Sequence, residues 1–319
     1  MENINIAVKG HEYEIPNSWE ALSPAAWLRF VENYQRVEGG QLSVGELRIR
    51  LLCDLMGWQW RKIRNEDAIS TLIVLSEQLT FPFRIKYRDE TVLLPLSNEQ
   101  YAIAVRTEPE HIDAPWAEPL RRQEWHYQAD FCFFRQMMPT VDIDRVKYFG
   151  YKADCHHGAL STSLTALQYI EATEGLQQAD NCRLAAILYA PEPYNSNQAH
   201  ALAQDFGRLP PMELQAIRYG FEALCNFLFT KTPFSLLTKF ERNGKAKAVT
   251  TTMQDALYDL CRDGMGNSSE VEQLNLLTYL RVLRKKTIDG VRQLHGMKMD
   301  IAQIANETGL PPQVITDII

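Results

Sequence analysis

The chain has 319 residues, 45% of them apolar and 23% charged, the balance of a folded protein with a core of its own and not of a disordered one. Its 33 basic against 40 acidic side chains leave a net charge of −7, which argues against a generic binder of nucleic acid or of anionic membranes. Apolar runs such as Leu72 to Leu75 are far too short to span a bilayer, so no membrane association is expected.

The start, MENINIAVKGHEYE, has no basic stretch leading into an apolar one, so no secretory signal is predicted. Ile4 to Ile15 alternates around Lys9-Gly10, the pattern of a β-hairpin, and Pro16-Asn17-Ser18 breaks it. Ser23-Pro24 opens a helix whose apolar residues Trp27, Phe30, Val31 and Tyr34 recur at helical spacing. Ser43-Val44-Gly45-Glu46 has the form of a capping box at the head of a second helix, LRIRLLCDLMGW. A third helix runs from Glu66 to Leu79. The period then changes: Phe83 to Tyr87 and Thr91 to Leu94 flank Arg88-Asp89-Glu90 as a second hairpin, and Tyr101 to Val105 offers a further strand.

Pro109, Pro115 and Pro119 lie close together in TEPEHIDAPWAEPL, where missing donors and restricted neighbours predict a loop. That loop divides the chain into residues 1–115, an N-terminal α+β domain of two hairpins and three helices, and residues 116–319, a helical domain. Acidic excess sits in the first part: residues 1–130 hold 14 basic and 20 acidic side chains, residues 131–319 hold 19 and 20. Beyond about residue 120 helices are expected over 121–137, 162–174, 178–190, 196–206, 211–229, 251–263, 269–290 and 299–307, with an irregular stretch from Met138 to about Gly158. The fold class is therefore mainly α, a multi-helix bundle with small β-hairpin elements in the N-terminal third.

The chemistry-bearing residues are few. Cys53, Cys132, Cys155, Cys182, Cys225 and Cys261 are spread along the chain with no C-x-x-C pair, which predicts neither a zinc framework nor a redox motif and suits a reduced, cytoplasmic setting. Asp154-Cys155-His156-His157 is the one local cluster of metal-ligand types, but adjacent residues on a strand or helix point apart. Cys155, His156 and His157 stand as the metal candidates beside the plainer reading of a polar loop, and no cofactor is expected. No G-x-S-x-G elbow and no phosphate-cradling glycine motif occurs. Two basic clusters stand out: Lys239, Arg242, Lys245 and Lys247 around an Asn-Gly turn, and Arg281, Arg284, Lys285 and Lys286 near the end of an expected helix. Solvated faces and favourable charge at a helix C-terminus account for both; the second cluster is the nucleic-acid candidate.

The C-terminal segment DIAQIANETGLPPQVITDII has the apolar spacing of a helix-turn-helix, with Ala305 and Gly309 at the corner, so a small pair of that form is expected over 299–319. Its second helix carries no Lys or Arg, and phosphate contacts supply most affinity for DNA, so nucleic acid is an unfavoured partner. Trp58 and Trp60, two residues apart after Gly57, cannot share one helix stripe. Either one is exposed as an anchor for a protein partner, or both pack against the neighbouring hairpin.

The segments IPNSWEALS, RIRLLCDLMGW, RLAAILYAPEPYN, LPPMELQAIRYGFEALCNFLF and DALYDLCRDGMGNSSEVEQLNLLTYL together resemble uncharacterised proteins encoded in phage and prophage morphogenesis regions, of the tail-assembly-associated type. The likeness rests on helix-packing residues and carries over no functional residue. It implies a non-enzymatic helical protein of the cytoplasm that binds protein partners, phage structural proteins among them. Two other readings stand beside it: a DNA-binding regulator using residues 299–319, and a metal-dependent enzyme with a site near 154–157.

Overall fold

A computed structural model describes residues 3–62, 65–238 and 250–319. The protein is mainly α-helical, with small two-stranded antiparallel sheets. It divides into two compact units, Met1–Phe131 and Cys132–Ile319. Among the described residues no helix is long and apolar enough to cross a membrane.

In the first unit, β1 (Ile4–Val8) and β2 (His11–Ile15) form the expected hairpin, closed by Lys9 and Gly10 at φ 52° and 81°. Positive φ at both turn residues matches the twist of the flanking strands. A short 3-10 turn, Trp19–Ala21, leads into α1 (Pro24–Glu38), where the Ser23 hydroxyl accepts the Ala26 amide at 3.2 Å. Helix α2 (Val44–Met56) is capped by Ser43 in the same way and stopped by Gly57 at φ 69°. Helix α3 (Glu66–Glu77) begins at an Asn65 cap. The core gathers the buried rings of Trp19, Trp27, Phe30, Tyr34, Phe81, Phe83 and Phe131.

The next segment departs from the sequence expectation. Strand β3 (Phe83–Tyr87) does not pair with residues 91–94; its partner is β4 (Trp125–Ala129), some forty residues further on. Asp89 accepts hydrogen bonds from both the amide and the hydroxyl of Thr91, which winds Glu90–Leu93 into a 3-10 turn. A full capping box between Ser97 and Gln100 then starts α4 (Asn98–Ala104), where a strand over 101–105 was expected. Local caps thus outcompete strand pairing. The inserted stretch, which includes α5 (Glu118–Arg121), wraps its own small core of Ile85, Tyr87, Ala104, Ile112, Ala117 and Leu120. Because β4 returns to β3, residues 116–129 belong to the first unit, and no helix spans 121–137. Arg48 of α2 lays its guanidinium over Tyr127 at 4.6 Å and Phe83 at 5.5 Å from the ring centres.

The second unit opens with two hairpins in the stretch expected to be irregular: β5 (Thr140–Ile143) with β6 (Val146–Phe149), and β7 (Ala153–His156) with β8 (Ala159–Thr162). Asp144-Arg145 and His157-Gly158 make their turns, all four at positive φ. Helices α6 (Ala166–Gln177), α7 (Asn181–Leu188), α8 (Ser196–Phe206) and α9 (Pro211–Thr230) follow close to expectation. After them come α10 (Thr250–Arg262), α11 (Ser268–Glu272) and α12 (Leu276–Gly296). The expected helix over 269–290 is two helices, because Asn267 and Asn275 each cap a fresh start. The start of α12 is tied to the β8–α6 connection by Ala166 N–H to Leu274 O at 2.8 Å and Leu276 N–H to Leu164 O at 2.9 Å. Helices α13 (Ile301–Thr308) and α14 (Pro312–Ile318) turn at Gly309, φ 72°, and bury Ile304, Leu310 and Ile315 with Val291 of α12.

Several buried protons make this unit sensitive to alkali. Burial pushes the Cys225 thiol up from its ordinary 9.0 to about 12 and raises the phenols of Tyr151, Tyr169 and Tyr189. Above about pH 9 the unfolded chain has therefore lost protons the native chain still holds, so stability falls as pH climbs from about 9 toward about 12. Urea midpoints at about pH 8 and about pH 10.5 should differ, lower at the higher pH, and Cys225→Ala should narrow the gap.

Candidate functional site

Among the described residues, two clefts and one hydrogen-bonded hub bring chemistry-bearing side chains together. The larger cleft lies in the first unit. On α1, Arg29, Glu32, Asn33 and Arg36 recur at three- and four-residue spacing opposite the buried Trp27, Phe30, Val31 and Tyr34, so the helix turns one polar face outward. Arg50, Cys53 and Asp54 of α2 form the facing wall. Gly57 ends α2 in a left-handed turn, and the chain swings Trp58, Gln59 and Trp60 around to complete a cavity of about 740 Å³. Both tryptophans are partly exposed. Trp58 also meets Tyr13 of the first hairpin edge-to-face at 5.9 Å.

The wall is only partly neutralised. Asp54 receives Arg29 at 2.6 and 3.0 Å, and Arg50 spans Asn33 at 2.6 Å and Glu46 at 2.5 Å. The Arg50 Nε is buried and, among the described residues, has no hydrogen-bond partner. Among the described residues Arg36 makes no ion pair. The Cys53 thiol is pushed up to about 11 by burial and then by Asp54, so it is held as a thiol and not as a nucleophile. The cleft thus brings Arg29, Arg36 and Arg50 beside Trp58 and Trp60, with Glu32 and Asp54 as its carboxylates.

The second cleft lies in the second unit. Gly158, Ala159 and Leu160 at the start of β8, the Thr232–Phe234 turn, and Leu277, Arg281 and Arg284 of α12 enclose about 420 Å³. The expected basic cluster is split here. Arg281 and Arg284 face this cavity, Lys285 is exposed, and Lys286 pairs with Asp263 and lines a different cavity. Because α12 continues to Gly296, none of the four lies in its last turn, so the helix dipole does not explain them. Lys239, Arg242, Lys245 and Lys247 lie outside the described residues.

The metal candidates do not converge. Asp154 and His156 lie two apart on one face of β7, joined at 2.8 Å, while Cys155 takes the other face and His157 sits in the turn. Among the described residues no group of three or more His, Cys, Asp or Glu side chains could hold a metal ion.

A feature with no local sequence signature is the hub at Glu171 on α6. Its carboxylate, mostly buried, accepts the hydroxyls of Tyr194 and of Ser196, the latter at 2.7 Å, and lies 3.5 Å from His200 Nε2. The serine donates to the carboxylate and not to the histidine, so the trio lacks the base-activated nucleophile of a hydrolase. It ties the start of α8 to α6.

At the C-terminus, Ile304, Leu310 and Ile315 of the helix pair are buried with Val291 of α12, and the seven residues of α14 include no cation. A scan against protein-family models, a search of curated proteins and a search of solved structures each returned no match.

Proposed function

We propose that this protein is a non-enzymatic binding and assembly factor that captures a protein partner in the Arg–Trp cleft of its first unit. The observation that carries this is the convergence of two partly exposed tryptophans and three arginines on one cleft of about 740 Å³. Tryptophan and arginine are the residue types most enriched where a few side chains dominate binding energy. Arg36, which makes no ion pair among the described residues, favours a partner segment that brings a carboxylate. A neighbouring apolar side chain of that segment would pack on Trp60. The resemblance to tail-assembly-associated phage proteins supports a particle component as that partner.

The test is a comparative capture from the native cells with tagged wild-type protein and an Arg36→Glu, Trp60→Ala variant. Trp60 is partly buried, so the variant's melting temperature is measured first and capture is run well below it; one specific protein partner should then fall by at least about tenfold in recovery. Equal recovery of the partners by both proteins removes the cleft from the account.

A further inference from the structure

We propose that the cavity between β8, the Thr232–Phe234 turn and α12 binds a monocarboxylate with an apolar body, its head held between Arg281 and Arg284. This site is independent of the Arg–Trp cleft. Leu277, Arg281 and Arg284 follow one another at four- and three-residue spacing, so one face of α12 runs from apolar to cationic. Leu277 and Phe234 are almost wholly buried, and with Pro233, Ala159 and Leu160 they make an apolar floor. The Cα atoms of Arg281 and Arg284 lie roughly 6 and 10 Å beyond that of Leu277 along the helix axis, at about 1.5 Å per residue, and the Arg284 side chain reaches back to Pro233 at the edge of the floor. A ligand matched to this lining has an anionic head on a short apolar tail.

The charge is uncompensated within the cavity: no Asp or Glu lines it. Arg284 is anchored by Nε, which donates to Pro233 O at 3.1 Å. That bond fixes the guanidinium plane and leaves the two terminal nitrogens for an end-on, two-point grip on a carboxylate. The ionic partners found among the described residues include none for Arg281. The Thr232 hydroxyl is already committed, donating to Leu228 O and accepting the Phe234 amide at 3.1 Å, so the head must be held by the arginines. A single negative charge suits the site better than two, because the cost of stripping water from an ion against an apolar floor rises with its charge. The volume of about 420 Å³ lies within the range of small-ligand cavities.

Calorimetric titration of the full chain with octanoate, octanol and inorganic phosphate tests this. Octanoate should bind saturably at one site, with octanol and phosphate each at least about tenfold weaker, since each lacks half of the match. Arg281→Gln, which leaves the Arg284–Pro233 contact in place, should weaken octanoate by about tenfold with an unchanged melting temperature. Adding Arg284→Gln should remove the remainder. Unaltered octanoate affinity in either variant overturns the proposal, as does phosphate binding as tightly as octanoate, or no saturable binding of octanoate at all.

Discussion

Replacing Trp19 by alanine is expected to destabilise the first unit by about 4 kcal/mol, the largest effect of any single change considered for that unit. Trp19 is 1% exposed, and its ring meets Trp27, Phe30, Phe81 and Phe131 with centres 5.7, 4.8, 5.0 and 5.6 Å apart. Its Nε1 donates to Asp130 O at 2.9 Å, which fastens the end of β4 to the start of the chain. Alanine therefore opens a cavity among rings that cannot collapse freely and strips a carbonyl of its donor. Trp19→Phe keeps most of the ring volume and loses the hydrogen bond, so about 1–2 kcal/mol is expected for it. Urea unfolding followed by near-UV circular dichroism measures both; a loss below about 1 kcal/mol for the alanine variant would mean that this cluster does not organise the unit.

In the second unit, Glu171→Ala should cost about 3 kcal/mol. The carboxylate is 12% exposed, and its removal leaves the Tyr194 hydroxyl, itself nearly buried, and the Ser196 hydroxyl without their acceptor. Burial first, and the bond to Glu171 second, raise the Tyr194 phenol well above its ordinary value, so the proton stays on the tyrosine and the pair acts as donor and acceptor throughout the neutral range. Glu171→Gln retains one carbonyl acceptor of the same shape and should lose only about 1 kcal/mol. Equal losses for the two variants would show that the side chain matters for its volume and not for its oxygen atoms.

Helix boundaries set by local chemistry were legible in the sequence. Ser23-Pro24 and Ser43 cap α1 and α2, and Lys9-Gly10 turns the first hairpin, because each acts within a few residues of itself. The same local chemistry misled where a long-range partner decided the outcome. Phe83 to Tyr87 was legible as a strand, but Thr91 to Leu94 looked like its mate only because β4 lies so far along the chain. Trp125 to Ala129, inside the stretch expected as helix, alternates its side chains across β4 instead. Asp144-Arg145 and His157-Gly158 adopt tight turns at positive φ with a single glycine among the four residues, so the two hairpins of the second unit carried little turn signal.

The sites were less legible than the fold. Trp58 and Trp60 stand out in the sequence, but the arginines that complete their cleft do not, because Arg29, Glu32, Asn33 and Arg36 are what any solvated helix face contains. Only the facing wall of α2 and the turn at Gly57 convert that face into a cleft. Likewise Arg281, Arg284, Lys285 and Lys286 form one run in the sequence, whereas the helix divides them among different faces. The hub at Glu171 joins residues 23 to 29 positions apart by way of a loop, and no periodicity announces it.

The most direct test of the proposed function places a photo-crosslinking phenylalanine analogue at position 60 of the full chain in its native cells, with the exposed Glu99 position as control. If the cleft is the partner's seat, illumination should yield one discrete crosslinked protein from position 60 and not from position 99, and Arg36→Glu should abolish it. Crosslinking no stronger at position 60 than at position 99 would contradict the account.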